Sequence, residues 1–84
     1  MEEKQLVGTV RHFLPKISVA IVDLTAPLRV GDTAMIEGKS TSFSQTVESM
    51  QIEHESVQEA KAGDAIGLKV SQQVREGDKV YKVS

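Results

Sequence analysis

Three Gly-Asp pairs punctuate this chain, and each precedes a run in which apolar and polar residues alternate. They are Gly31-Asp32 before Thr33 to Glu37, Gly63-Asp64 before Ala65 to Val70, and Gly77-Asp78 before Lys79 to Val83. Glycine adopts positive φ without steric cost, and an aspartate bonds readily to nearby backbone amides. Each pair therefore predicts a turn that delivers the backbone into a strand. A chain cut into short strands by repeated turns points to an all-β domain rather than a helical one.

The 84 residues suffice for a single domain, 1–84, with one core. Met1 to Lys4 precede the first strand pattern and are open to disorder. Hydrophobic residues make up 39% and charged ones 26%, with no long uncharged apolar run, which fits a soluble globular protein and no membrane association. Cysteine is absent, so disulfides, thiolate chemistry and cysteine zinc sites are excluded, and packing and strand pairing must hold the core. The acidic start Met1-Glu-Glu-Lys4 is unlike a signal peptide, and without asparagine there is no N-glycosylation acceptor; both read as cytoplasmic.

The first strand spans Gln5 to Phe13 and is stopped by Pro15, which cannot donate to a ladder. The second, Ile17 to Leu24, is apolar on both registers: Ile17, Val19 and Ile21 on one side, Ala20, Val22 and Leu24 on the other. Periodicity alone does not choose its inward face. Thr25 to Asp32 reads as a loop whose Leu28 and Val30 plug the core, and a third strand ends at Gly38-Lys39. The fourth, about Thr41 to Glu55, changes parity, with Phe43, Gln45 and Val47 at odd positions and Met50, Ile52 and His54 at even ones. Keeping both sets inward requires an extra residue, so a β-bulge is expected near Glu48-Ser49. Ser56 and Glu59 match a capping box for one helical turn over Ser56 to Ala62. Ile66, Leu68 and Val70 mark the fifth strand and Val80 to Val83 the sixth. The expected architecture is a six-stranded closed antiparallel β-barrel, its first and last strands paired.

The formal charge of −2 argues against a generic nucleic-acid binder, yet its distribution is uneven: residues 1–31 carry +1, residues 32–60 carry −5 and residues 61–84 carry +2. Pairing of the end strands would gather Arg11, Lys16, Lys69, Arg75, Lys79 and Lys82 on one face. The bland alternative is a scatter of solvated cations.

A string of segments in order carries a resemblance: Leu6 to Val10, Leu28-Arg-Val-Gly-Asp32 with Met35 to Gly38, Val47 to Ile52, Ala60 to Leu68, and Val74-Arg-Glu-Gly-Asp-Lys-Val80. Over nearly the whole chain this is similar to the second domain of elongation factor Tu type translational GTPases and to the translation elongation factor-like proteins. It also resembles the barrel appended to the C-terminal side of some collagenase-like peptidases. The resemblance implies a translation-protein barrel that contacts tRNA, ribosomal RNA or neighbouring protein. No GTP-binding domain accompanies it, so no nucleotide, GTPase activity or cofactor is expected.

Chemistry-bearing candidates each have a structural reading. Gly38-Lys39-Ser40 imitates the end of a P-loop, but Thr33 stands where its first glycine belongs and strand-like sequence surrounds it, so a hairpin turn is expected. His54 lies between Glu53 and Glu55, which a strand would point to the opposite face, and His12 has no chelating neighbour; both read as half-buried and hydrogen-bonded to backbone. Asp32, Asp64 and Asp78 read as turn stabilisers rather than a cation site, and no nucleophile elbow or triad spacing exists. The chain is read as a non-enzyme with no catalytic or metal-binding residues. Two binding readings remain. One is an RNA-contacting module using Arg11, Lys16, Lys69, Arg75 and Lys79, with little aromatic support because Phe13 and Phe43 are expected in or near the core. The other is a protein-contact module using an exposed face around Glu48, Met50, Glu53 and Glu55.

Overall fold

The structure, a computed structural model, describes residues 4–83, so the expectation for Met1 to Glu3 lies outside the described residues while Lys4 opens the first strand. The described residues form ten strands and no helix: β1 (Lys4–Leu14), β2 (Val19–Leu24), β3 (Leu28–Arg29), β4 (Thr33–Glu37), β5 (Ser42–Thr46), β6 (Met50–Ile52), β7 (Glu55–Val57), β8 (Glu59–Ala60), β9 (Ala65–Lys69) and β10 (Lys79–Val83). Eight make one antiparallel sheet in the order β5-β4-β10-β1-β2-β9-β6-β7, and β3 pairs with β8 in a separate ribbon. The all-β expectation and the pairing of first with last strand hold, since β1 lies against β10. The six-stranded closed barrel does not hold as such. There are ten strands, and the hydrogen-bonded ladder is open, with β5 and β7 at its ends.

Open does not mean flat. Only Val47 to Ser49 join β5 to β6, although these strands stand six places apart in the sheet. Four Cα steps reach about 15 Å, whereas six strand spacings in a flat sheet need about 29 Å. The sheet must curl until its two ends approach. Gln45 marks the seam: its side-chain Nε2 donates to the Lys69 carbonyl at 2.6 Å, and its Oε1 accepts from the Ser71 amide at 2.7 Å. One amide side chain thus occupies the place of a missing strand beside the end of β9.

The three Gly-Asp turns are copies of one device. Each lies in a seven-residue unit that begins and ends on a buried apolar residue: Leu28 to Ala34, Ala60 to Ile66, and Val74 to Val80. The glycines have φ of 98°, 94° and 90°. Each aspartate amide donates to the carbonyl three residues back at 3.1 Å, in Arg29, Lys61 and Arg75 respectively. Its carboxylate Oδ2 accepts from the amide of that same residue at 2.9 Å. Positive φ at the third position is what a type II turn demands, and glycine supplies it without a Cβ clash.

Each turn then docks on a distant buried residue through two more bonds. Gly31 donates to the Val47 carbonyl and Asp32 accepts from the Val47 amide; Gly63 and Asp64 do the same to Leu24, and Gly77 and Asp78 to Val10, all at 2.8 or 2.9 Å. This docking overturns the expected bulge at Glu48-Ser49. Val47 spends its backbone groups on the first turn, so the long fourth strand breaks into β5 and β6 and the break absorbs the parity change. Both Val47 and Met50 are inward, at 0% and 1% exposure. The register slips that do occur lie in β1, between Leu6 and Gly8 against β10 and between Val10 and His12 against β2. The capping box at Ser56 forms no helical turn, because β7 and β8 take those residues.

The core runs along the inward register of β2 (Ala20, Val22, Leu24) and gathers Val7, Leu28, Ile36, Ile66, Leu68 and Val80, with Phe13, Val30 and Phe43 packed against it. Gly38 leaves room for Asp78: a Cβ there would stand 1.9 Å from its Oδ1. Asp78 is 5% exposed and is the most buried of the three turn aspartates. Losing a hydrogen bond to a charged acceptor costs about 2 kcal/mol when water cannot replace it. Urea unfolding should therefore rank Asp78→Ala, at about 2 kcal/mol, above Asp32→Ala and Asp64→Ala. Gln45→Leu should cost about 1 kcal/mol and speed hydrogen exchange at the Ser71 amide while leaving Leu68 unchanged.

Candidate binding surfaces

The sheet registers place the basic residues among carboxylates. Lys79 in β10 stands between Glu37 of β4 and Thr9 of β1, and Thr9 in turn opposes Asp23 of β2. Arg11, at the second slip of β1, is held by Asp23 through Nε to Oδ2 and Nη2 to Oδ1, both at 2.9 Å. Lys69 donates its ammonium to the Ile17 carbonyl at 3.0 Å. Lys16 is exposed in the turn between β1 and β2, and Arg75 is exposed in the third Gly-Asp turn. Lys82 is 3.9 Å from Asp32. Two of the five cations proposed for RNA contact thus already have partners, and a third has a carboxylate neighbour in the ladder.

The acidic face is also redrawn. Met50 is 1% exposed and sits in the core, so it contributes nothing to an exterior surface. Glu48, Glu53 and Glu55 are exposed, and none has an ion pair among the described residues. Glu53 and His54 are not in a strand at all. They form the two-residue tip between β6 and β7, where Ile52 pairs with Glu55, with φ of 51° and 67°. Two consecutive left-handed residues are what a type I′ hairpin requires, a place suited to Asn-Gly; glutamate and histidine there cost on the order of 1 kcal/mol each. Both histidines are exposed rather than half-buried. His54 projects from this tip, and His12 lies outward with Nδ1 3.8 Å from Glu76 Oε2.

Gly38-Lys39-Ser40 is the loop of the β4–β5 hairpin, closed by a bond from the Gly38 amide to the Thr41 carbonyl at 2.8 Å. Asp32, Asp64 and Asp78 each hold their own turn, and among the described residues no three His, Cys, Asp or Glu side chains are grouped to hold a metal. A feature that the surface reading passed over lies on the outer register of β2. There Leu14, Val19 and Ile21, with the exposed Ile17, line a groove walled by Glu53 and His54. Its signal was the double-register apolarity of Ile17 to Leu24.

Lys4 packs 4.7 Å over the Tyr81 ring and is hydrogen-bonded to Glu37. The hydrogen bond to Glu37 raises its pKa above 10.5, with burial working the other way. A raised folded-state pKa means that the stabilisation is complete below the unfolded value and disappears as pH climbs through the folded one. Glu37→Gln removes it. The stability difference between wild type and Glu37→Gln should be constant from neutrality to about pH 10 and shrink above it, as followed by urea unfolding across pH.

No family model matches the chain. It is 46% identical over 76 residues to an uncharacterized protease of Methanocaldococcus jannaschii, covering 89% of this chain and 19% of that protein. It is 30% identical over 82 residues to a collagenase of Porphyromonas gingivalis, covering 95% of this chain and 23% of that one. The chain thus spans about a fifth of the length of the curated relatives it matches. Among solved structures, the C-terminal domain of a Geobacillus thermoleovorans protein assigned to the U32 peptidases superposes with a TM-score of 0.87 at 21% identity, covering 93% of this chain and 91% of that domain. Its selenomethionine form gives 0.86 at 20% identity, covering 90% and 96%. These findings support the peptidase side of the resemblance, and the translation-factor side has no support among them. The chain is homologous to a segment of an uncharacterized protease and of a collagenase, and it has the fold of the G. thermoleovorans C-terminal domain.

Proposed function

We propose that this chain is a non-catalytic accessory domain of the U32 peptidase type, which acts by docking on a peptidase portion. The observation that carries this reading is the 46% identity along 89% of the chain to a segment of a protease. The surface chemistry agrees. Exposed carboxylates and an apolar groove suit protein contact, whereas a phosphate backbone calls for free cations, and Arg11 and Lys69 are already engaged. The barrel type proposed is a strongly curled sheet sealed at its seam by Gln45 and the docked turns.

A chimaera in which this chain replaces the matched segment of the M. jannaschii protease provides the test, with hydroxyl-radical labelling read by mass spectrometry. Relative to the isolated chain, one contiguous face should lose labelling, while the isolated chain hydrolyses neither gelatin nor casein and shows no salt-dependent tRNA binding. Uniform labelling in both contexts, turnover by the isolated chain, or tRNA binding that weakens steeply with salt would each contradict the proposal.

A further inference from the structure

The accessory-domain reading leaves open which face docks, and on that reading we infer that it is the groove between the outer register of β2 and the Glu53-His54 tip. The occupant is a large aliphatic or aromatic side chain flanked by lysine or arginine, presented by the peptidase portion. Three observations converge there. The first is apolar surface where solvated residues belong: Leu14, Val19 and Ile21 line a groove of about 220 Å³, and Ile17, at 55% exposure, is the more open of the two exposed large hydrophobic residues among the described ones. Gly67 lies between them with no side chain, and a Cβ there would stand 3.3 Å from Val19 Cγ1. That is a recess with room for one side chain, the form of an anchor pocket.

The second is the wall. Glu53 and His54 hold left-handed conformations that a cheaper Asn-Gly pair would take without strain, and a strained conformation kept at the rim of a recess points to use of those side chains. The third is charge. Glu53 on the groove wall lacks an ion pair among the described residues; the Lys69 ammonium is held at the Ile17 carbonyl, and Lys16 does not line the groove. The Glu53 side of the rim therefore complements a cation beside the anchor. About four-fifths of each relative lies beyond the matched segment, and that remainder supplies the partner.

In the chimaera, labelling of Ile17 and His54 should fall severalfold relative to the isolated chain. Ile17→Asp, on a side chain exposed enough to leave folding unaffected, should restore His54 labelling, whereas Leu6→Asp, on another exposed large hydrophobic residue, should not. Protection of a different face, with Ile17 and His54 labelled as in the isolated chain, overturns the groove assignment and leaves the accessory-domain reading standing. Uniform labelling overturns both. A second measurement does not depend on the chimaera folding: nuclear magnetic resonance titration of the isolated chain with a leucine peptide flanked by lysines, and with its glutamate-flanked equivalent. Shifts at Ile17, Ile21, Glu53 and Gly67 with the basic peptide alone are expected. An equal response to both, or none, overturns the assignment, as does concentration-dependent dimerisation that Ile17→Asp abolishes, which would make a second copy the occupant.

Discussion

Three Gly-Asp turns, each bonded by two backbone hydrogen bonds to a buried residue far along the chain, set the shape of this molecule. Val10, Leu24 and Val47 receive them, and these residues belong to β1, to β2 and to the link between β5 and β6. A ladder alone would give an open sheet with two exposed edges, a form prone to pair with other chains. The docked turns bend that sheet over a core of aliphatic side chains, and the Gln45 amide joins its seam. The same aspartate that closes a turn also accepts the bond that fixes it on its neighbour, so local and long-range order share one residue.

This division of labour leaves the outer surface uncommitted. Closure uses backbone groups and small residues, Gly8 and Gly38 among them, where an added Cβ would strike the neighbouring strand or the Asp78 carboxylate. None of the exposed carboxylates Glu48, Glu53 and Glu55 is needed to hold the sheet together. A scaffold built in this way can present a recess and a charged rim without cost to its closure. The units themselves need glycine, aspartate and flanking apolar residues, so most other positions are free to vary within this fold.

Most of the architecture was legible because its signals are local. Glycine before aspartate marks a turn, Leu28 and Val30 are apolar within a polar loop, and Ile66, Leu68 and Val70 alternate cleanly. What escaped was non-local or lacked a composition signal. The break at Val47 depends on a turn sixteen residues earlier, which no periodicity reports. The Glu53-His54 tip was hidden because neither residue is a usual left-handed turn former. Met50 is instructive: the parity argument that sends it inward already excluded it from an exterior face. The outer groove was written in the two apolar registers of β2, but choosing between core and surface required knowing which register Leu24 and Val22 would bury.

The most direct measurement of this account is native-state hydrogen exchange at the amides of Gly31, Gly63 and Gly77 and their partners Val47, Leu24 and Val10. If the docked turns hold the fold, all six exchange only through global unfolding, with a common dependence on denaturant. Exchange of any glycine and its partner through a local opening, independent of denaturant while the sheet stays protected, would show that the turn decorates a sheet that curls without it.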